Sequence, residues 1–265
     1  TVTGVQTCAL PIWSGKVLSE VVEGKSSRFV GGVSHTAPKL TDNEFPMPGA
    51  IGFERWREYE RTLRRDRDLL AFFPFERTAD EAALVNQSEG TASDGRIVGA
   101  RWTSGRWPGK AALLFDRDDD CVQIEVFGEH QELTIAAWLK IERLDFELNA
   151  ILNSDGTGKG GVHFQLTRQG LPRGGVLDRY GFRETFLGNG VPMGRWAHVA
   201  SVMSMPNRSQ RIYVNGVLAR ERSLRGDEVI RPGTCRLGNW LSVGTICPNR
   251  AFRGRIDELA IWRRA

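Results

Sequence analysis

The 265-residue chain has no uninterrupted apolar run near the roughly 20 residues needed to span a bilayer, so none of it reads as a membrane-crossing helix. Its visible start has no basic stretch ahead of a continuous hydrophobic segment and is not a secretory signal. Any address for export is therefore expected on sequence upstream. Cysteine is scarce: Cys8, Cys121, Cys235 and Cys247 lack the short paired spacings of a zinc site. No charge of one sign dominates either, since 36 basic residues face 32 acidic ones for a net charge of +4. That balance gives weak steering toward anionic surfaces and no basis for a nucleic-acid partner.

What the chain does have is a period of two. Trp196, His198, Ala200 and Val202 alternate with Ala197, Val199, Ser201 and Met203, the mark of a strand. Ile212 to Val214 resumes the pattern, and Asn215-Gly216 then turns it tightly, because a type I′ turn needs positive φ at both central positions. The segment from Gly194 to Ala219 is thus expected to form three antiparallel strands. Further strands are expected at 69–76, 111–116, 121–126, 132–141, 150–152, 161–166, 234–239 and 255–262. In the last of these, strict alternation sends Asp257 and Glu258 to opposite faces. Many short strands separated by turns favour a two-sheet sandwich.

The organisation read from the chain has four parts. Residues 1–12 resemble translated sequencing-adaptor read-through and are expected to be non-native, which removes Cys8 from any pairing. Residues 13–52 read as the remnant of an upstream domain followed by a Pro- and Gly-containing linker. Residues 53–68 read as a short amphipathic helix with Phe53, Trp56, Tyr59 and Leu63 along one side. It is expected to brace the sandwich of residues 69–265, with docking to a membrane surface or partner as the alternative.

Four signatures then resemble the laminin G-like, concanavalin A-like jelly-roll superfamily. They are Glu132-Leu133-Thr134-Ile135-Ala136-Ala137-Trp138-Leu139-Lys140, Gly194-Arg195-Trp196-Ala197-His198-Val199-Ala200, Ile212-Tyr213-Val214-Asn215-Gly216-Val217-Leu218, and the stretch from Phe252 to Trp262. The resemblance implies an all-β antiparallel two-sheet jelly-roll sandwich. The helix with Arg55-Trp56-Arg57-Glu58-Tyr59 is also similar to bacterial proteins in which such a domain follows a membrane-associated FecR-like domain, which implies a periplasmic or cell-surface location, with membrane anchoring through sequence upstream.

Function transfers poorly on this scaffold, which carries lectins, protein-binding modules and hydrolases. Hydrolase relatives alternate acidic residues along one strand as Glu-x-Asp-x-(x)-Glu, and no such string occurs here. The expectation is therefore a non-catalytic recognition or adhesion module for carbohydrate or protein, with a glycoside hydrolase-like enzyme or a ligand-free structural domain as alternatives. Trp107, Tyr180, Arg183 and Trp240 are candidates for sugar contact if exposed, and loop packing is their plainer role. Asp116, Asp118, Asp119 and Asp120 are hard oxygen ligands suited to calcium, against the reading of a solvated turn. Cys235 and Cys247 flank a Gly/Pro-containing loop, and either a local disulfide or two reduced thiols fits. His198 and His163 read as buried residues satisfied by a carboxylate, carbonyl or water.

Overall fold

The computed structural model describes residues 50–177, 190–224, 229–240 and 249–265. Tyr180, Arg183 and Cys247 lie outside the described residues. The fold is an all-β sandwich of two antiparallel sheets with one helix in front. The strands are β1 (Leu69–Phe73), β2 (Ala83–Leu84), β3 (Gly95–Val98), β4 (Arg101–Ser104), β5 (Ala111–Phe115), β6 (Cys121–Val126), β7 (Glu132–Arg143) and β8 (Leu148–Ser154). They continue with β9 (Val162–Thr167), β10 (Pro172–Val176), β11 (Trp196–Ser204), β12 (Ser209–Val214), β13 (Val217–Ser223), β14 (Gly233–Leu237) and β15 (Arg253–Trp262). One sheet runs β13-β12-β11-β7-β15-β5-β4, with β1 added along β15, and the other runs β10-β9-β8-β14-β6-β3-β2. The stretch from 194 to 219 forms three consecutive antiparallel strands as its alternation predicts.

Between the sheets the alternating apolar residues interdigitate. Ile135, Ala137 and Leu139 of β7 meet Ile124 of β6, Leu152 of β8 and Phe164 of β9 in one continuous core. Gly238 sits in this core at a φ of +78°, and a methyl group there would press into the Phe115 ring. Gly238→Ala is therefore expected to cost about 1–3 kcal/mol by overpacking, before the added backbone strain. Urea titration of the variant checks it.

The helix α1 spans Ala50–Leu63, starting earlier and stopping sooner than its apolar period implies. The stop has a local cause: the Arg65 amide donates to the Thr62 carbonyl in a tightened turn, and the Asp68 amide donates to the Asp66 carboxylate. Its apolar side lies on the outer face of the eight-stranded sheet, where Leu63 packs with Phe72, Ala136, Ala200, Ala260 and Trp262. Alanines on three neighbouring strands leave room for a helix to approach. The brace expected of this helix is what forms.

β15 departs from strict alternation. A bulge falls between Asp257 and Leu259, and Glu258 has a φ of +68°. The extra residue shifts the side-chain parity, so Ile256, Leu259 and Ile261 all face the core while Asp257 and Glu258 share the outer face. The expectation that the two carboxylates point to opposite faces is therefore corrected.

Candidate functional site

Cross-strand pairing builds a polar row on the outer face of the seven-stranded sheet. Arg96 of β3 pairs with Gln123 of β6, Gln123 with Arg236 of β14, Arg236 with Asn153 of β8, and Asn153 with His163 of β9. Two residues along β9, Gln165 faces Arg173 of β10. Their neighbours Val122, Leu152, Phe164 and Leu237 point into the core, so each strand is apolar inward and polar outward.

These polar side chains are joined to one another. Asn153 donates its side-chain N–H to Gln165 Oε1 at 3.2 Å, and Arg250 Nη1 donates to the same oxygen at 3.2 Å. Arg250 Nη1 also lies 3.4 Å from His163 Nδ1. Asp155, just past β8, accepts from Arg236 Nε at 2.9 and 3.2 Å through its two oxygens. Turned so that its oxygen faces the guanidinium, the Gln123 carboxamide accepts from Arg236 at 2.9 and 3.0 Å. Asn153, Gln165 and His163 are buried although they lie outside the core. The Gln165 side-chain nitrogen has no hydrogen-bond partner among the described residues. Such a group costs free energy unless something else accepts from it.

The electrostatics follow from that burial. His163 is held neutral, its pKa lowered to about 3 by desolvation and then by the positive charges of Arg250 and Arg173. Cys235, on the inner side of β14, is a free, buried thiol pushed up to about 12 by burial. Its sulfur lies against Ser154 and the Pro232 carbonyl, and the pairing with Cys247 falls outside the described residues. Cys121 is likewise free, with its sulfur 3.4 Å from Arg236.

Trp240 stands at the margin of this face. Its indole N–H donates to the carbonyls of Ser154 at 3.0 Å and Gly156 at 3.3 Å, and its ring packs at 5.4 Å edge-on to His163. The Arg250 guanidinium covers its other surface at 3.9 Å. Trp240 therefore fastens a loop and orients Arg250, rather than standing free as a stacking platform. Trp107 is not here at all: it lies on the opposite sheet, packed at 5.3 Å against Trp56 and 5.6 Å from Phe53.

The four aspartates weighed as calcium ligands against a solvated turn form no metal-ready group among the described residues. Asp116 pairs with Arg101 at 2.5 Å, Asp118 with Arg253, and the fully buried Asp120 accepts from the backbone amides of Asp116 and Arg117 at 2.8 and 2.9 Å. Asp120 shapes the turn from inside, which gives one member of the cluster a structural role. Among the described residues no group of three His, Cys, Asp or Glu side chains is placed to hold a metal ion. From the sequence Asn153 reads only as a calcium contributor from a loop, and Gln165 and Arg250 go unnoticed, because a carboxamide on a strand and an arginine in a loop are ordinary solvent-side residues there. Only the pairing of β8 with β9 brings them together.

A model of the concanavalin A-like lectin/glucanases superfamily, laminin G type 3, matches residues 116–265. The chain belongs to this superfamily. Helix α1 and β1 to β5 precede the matched region, yet β1 and β5 both pair with β15, so they complete the family's sandwich. No curated protein matches the chain. Among solved structures it is similar to domain 4 of AbnA, a GH43 extracellular arabinanase from Geobacillus stearothermophilus, in complex with arabinotriose. That likeness has 19% identity and a TM-score of 0.54 over 74% of this chain and 92% of that one. It is also similar to Trypanosoma rangeli sialidase in complex with sialic acid, with 13% identity and a TM-score of 0.55. That match covers 80% of this chain and 36% of the sialidase, so the superfamily fold here corresponds to about a third of that protein. Identities this low carry the fold alone.

Proposed function

We propose that this protein is a non-catalytic, extracytoplasmic recognition module that binds carbohydrate on the outer face of the seven-stranded sheet. One observation carries the reading: a polar network of Asn153, Gln165, His163 and Arg250 is built on a sheet face and leaves a buried carboxamide donor unpaired among the described residues. Fixed carboxamides and guanidinium groups in a row are the donors and acceptors that read sugar hydroxyls. The likeness to an arabinanase domain solved with arabinotriose supports a saccharide over a protein ligand. Extracytoplasmic placement is supported by the superfamily, and no helix among the described residues is long and apolar enough to cross a membrane.

Hydrolysis is the second reading, and the face offers it Glu125 and Asp155. Thr234 of β14 lies between them, paired with Glu125 on one side and accepting from the Asp155 amide on the other. Two strand spacings put their backbones roughly 9.5 Å apart, wider than the about 5 Å between carboxyl groups of a retaining mechanism and nearer the spacing of an inverting one. Asp155 is engaged by Arg236. That ion pair, which occupies one of the two carboxylates, favours binding over bond cleavage.

A glycan-array screen with and without calcium, followed by calorimetric titration of the strongest oligosaccharide, tests the reading. Arg250→Ala and Gln165→Ala are each expected to weaken binding about tenfold, the loss of one charge-assisted or buried hydrogen bond. Thermal melts confirm that each variant is folded. Absence of any glycan signal in either condition would leave a structural interaction domain, and release of reducing ends during the titration would make the protein an enzyme.

A further inference from the structure

On the other sheet, a groove of about 500 Å³ runs between helix α1 and the hairpin of β4 and β5. Half-buried Phe53 supplies its aromatic surface, backed by the buried Trp56 and Phe75, while Thr103 and Ser104 bring hydroxyl groups and Arg57 and Arg77 stand exposed at its rim. The volume falls within the range of small-ligand sites, which combine apolar surface with a few placed polar groups.

The floor is held from beneath. Trp56 donates its indole N–H to Glu258, and Lys110 donates to Asp257 at 2.5 Å and to the Pro74 carbonyl. Arg106 bridges the same two carboxylates at 3.1 and 2.5 Å and lies 4.2 Å from the centre of the Trp107 ring and 4.3 Å from that of Trp138. Two cations and two anions thus neutralise one another below the groove while fixing the Trp56 ring. A floor whose rotamers are locked this way does not have to be ordered when a ligand arrives.

The rim is not neutralised in the same way. Glu76 accepts from Gln87 at 3.0 Å and lies 3.9 Å from Arg64. Neither Arg57 nor Arg77 has a carboxylate partner among the described residues, and Arg77 rests 5.9 Å over the Trp102 ring. The groove therefore combines a rigid aromatic floor, hydroxyl-bearing walls and two available guanidinium groups. Its chemistry is complementary to a ligand with an apolar ring face, several hydroxyls and a carboxylate.

We infer that this groove is a second binding site, separate from the polar sheet face, and that it takes an acidic sugar unit of the uronate class. Arg57 and Arg77 hold the carboxylate, while Phe53, stacked on Trp56 behind it, covers the ring.

The test is calorimetric titration of the intact protein with trigalacturonate and with the neutral galactose trimer. Arg57→Gln/Arg77→Gln serves as the site variant, because both residues are exposed and the substitution leaves the buried cluster untouched. The expected result is binding of the uronate trimer that weakens with salt, falls at least roughly tenfold in the double variant, and is unchanged in Gln165→Ala. Equal binding of the neutral trimer, uronate binding unaltered in the double variant, equal competition by an acidic peptide, or no uronate binding would each overturn the assignment. The reading of the polar face stands or falls separately, on the Gln165 and Arg250 variants with their own ligand.

Discussion

Asp257→Ala is expected to lower the unfolding free energy by about 3–5 kcal/mol, the loss found when one partner of a buried ion pair is removed. Asp257 is fully buried, and its two oxygens accept from Lys110 Nζ, Arg106 Nε and the Arg106 backbone amide. Lys110 and Arg106 are themselves buried, so truncation leaves two cations facing one remaining carboxylate, Glu258. Burial already pushes the Glu258 carboxyl above the usual range, opposed by the Arg106 charge. Asp257→Asn keeps the shape and part of the hydrogen bonding and should fall between the wild type and the alanine variant. Equilibrium urea unfolding measures both, and a loss below about 1 kcal/mol for Asp257→Ala would show that water reaches the cluster and compensates it.

The second large effect is a dependence on acid. His163 and His198 are each buried with a pKa lowered from 6.5 to about 3. Desolvation is the first cause for both, followed by Arg250 for His163 and Arg106 for His198. Each stays neutral in the folded chain and takes up a proton on unfolding, so stability falls as pH drops below about 6.5 and continues to fall toward about 3. Each histidine contributes a slope of about 1.4 kcal/mol per pH unit in that window. Glu258 acts with the opposite sign: its raised folded pKa means that the folded state holds a proton the unfolded state has lost, so its contribution declines as pH rises from about 4.5 through the raised value. The histidine contribution is therefore best read as a difference. The stability of His198→Gln should change with pH less steeply than wild type by about 1.4 kcal/mol per unit between pH 6 and 4. Parallel profiles for the two proteins would mean that His198 is protonated in the folded state.

His198 also corrects an expectation. A buried histidine on a strand ordinarily finds a carboxylate, a carbonyl or water, yet neither ring nitrogen here has a hydrogen-bond partner among the described residues. The ring instead packs 5.3 Å from Trp138. With Arg106 also against Trp138, a charged imidazole would be repelled rather than paired.

The two tryptophans named from the sequence lie on opposite sheets and met the same fate. Trp107 and Trp240 both sit in Gly-rich stretches that read as surface loops, and a loop tryptophan is either a platform or a wedge. Each turned out to support an arginine, Arg106 in the first case and Arg250 in the second, at 4.2 and 3.9 Å. Those arginines carry no signal of their own, because the residues they serve lie far along the chain: Asp257 for Arg106, and Gln165 for Arg250.

The linear order of residues was enough for the sandwich, since alternation of apolar and polar side chains depends only on strand geometry and survives without knowledge of neighbours. It also located the helix, whose 3.6-residue period is equally local. Folding in three dimensions decided the rest. The bulge that turns Asp257 and Glu258 to the same side is a backbone event at Glu258, imposed by pairing with β7 and β1. The polar row from Arg96 to His163 exists because five strands, scattered along the chain, lie side by side in register. Hydrogen bonding between strands sets that register, and it joins residues whose separation in sequence says nothing about their separation in space.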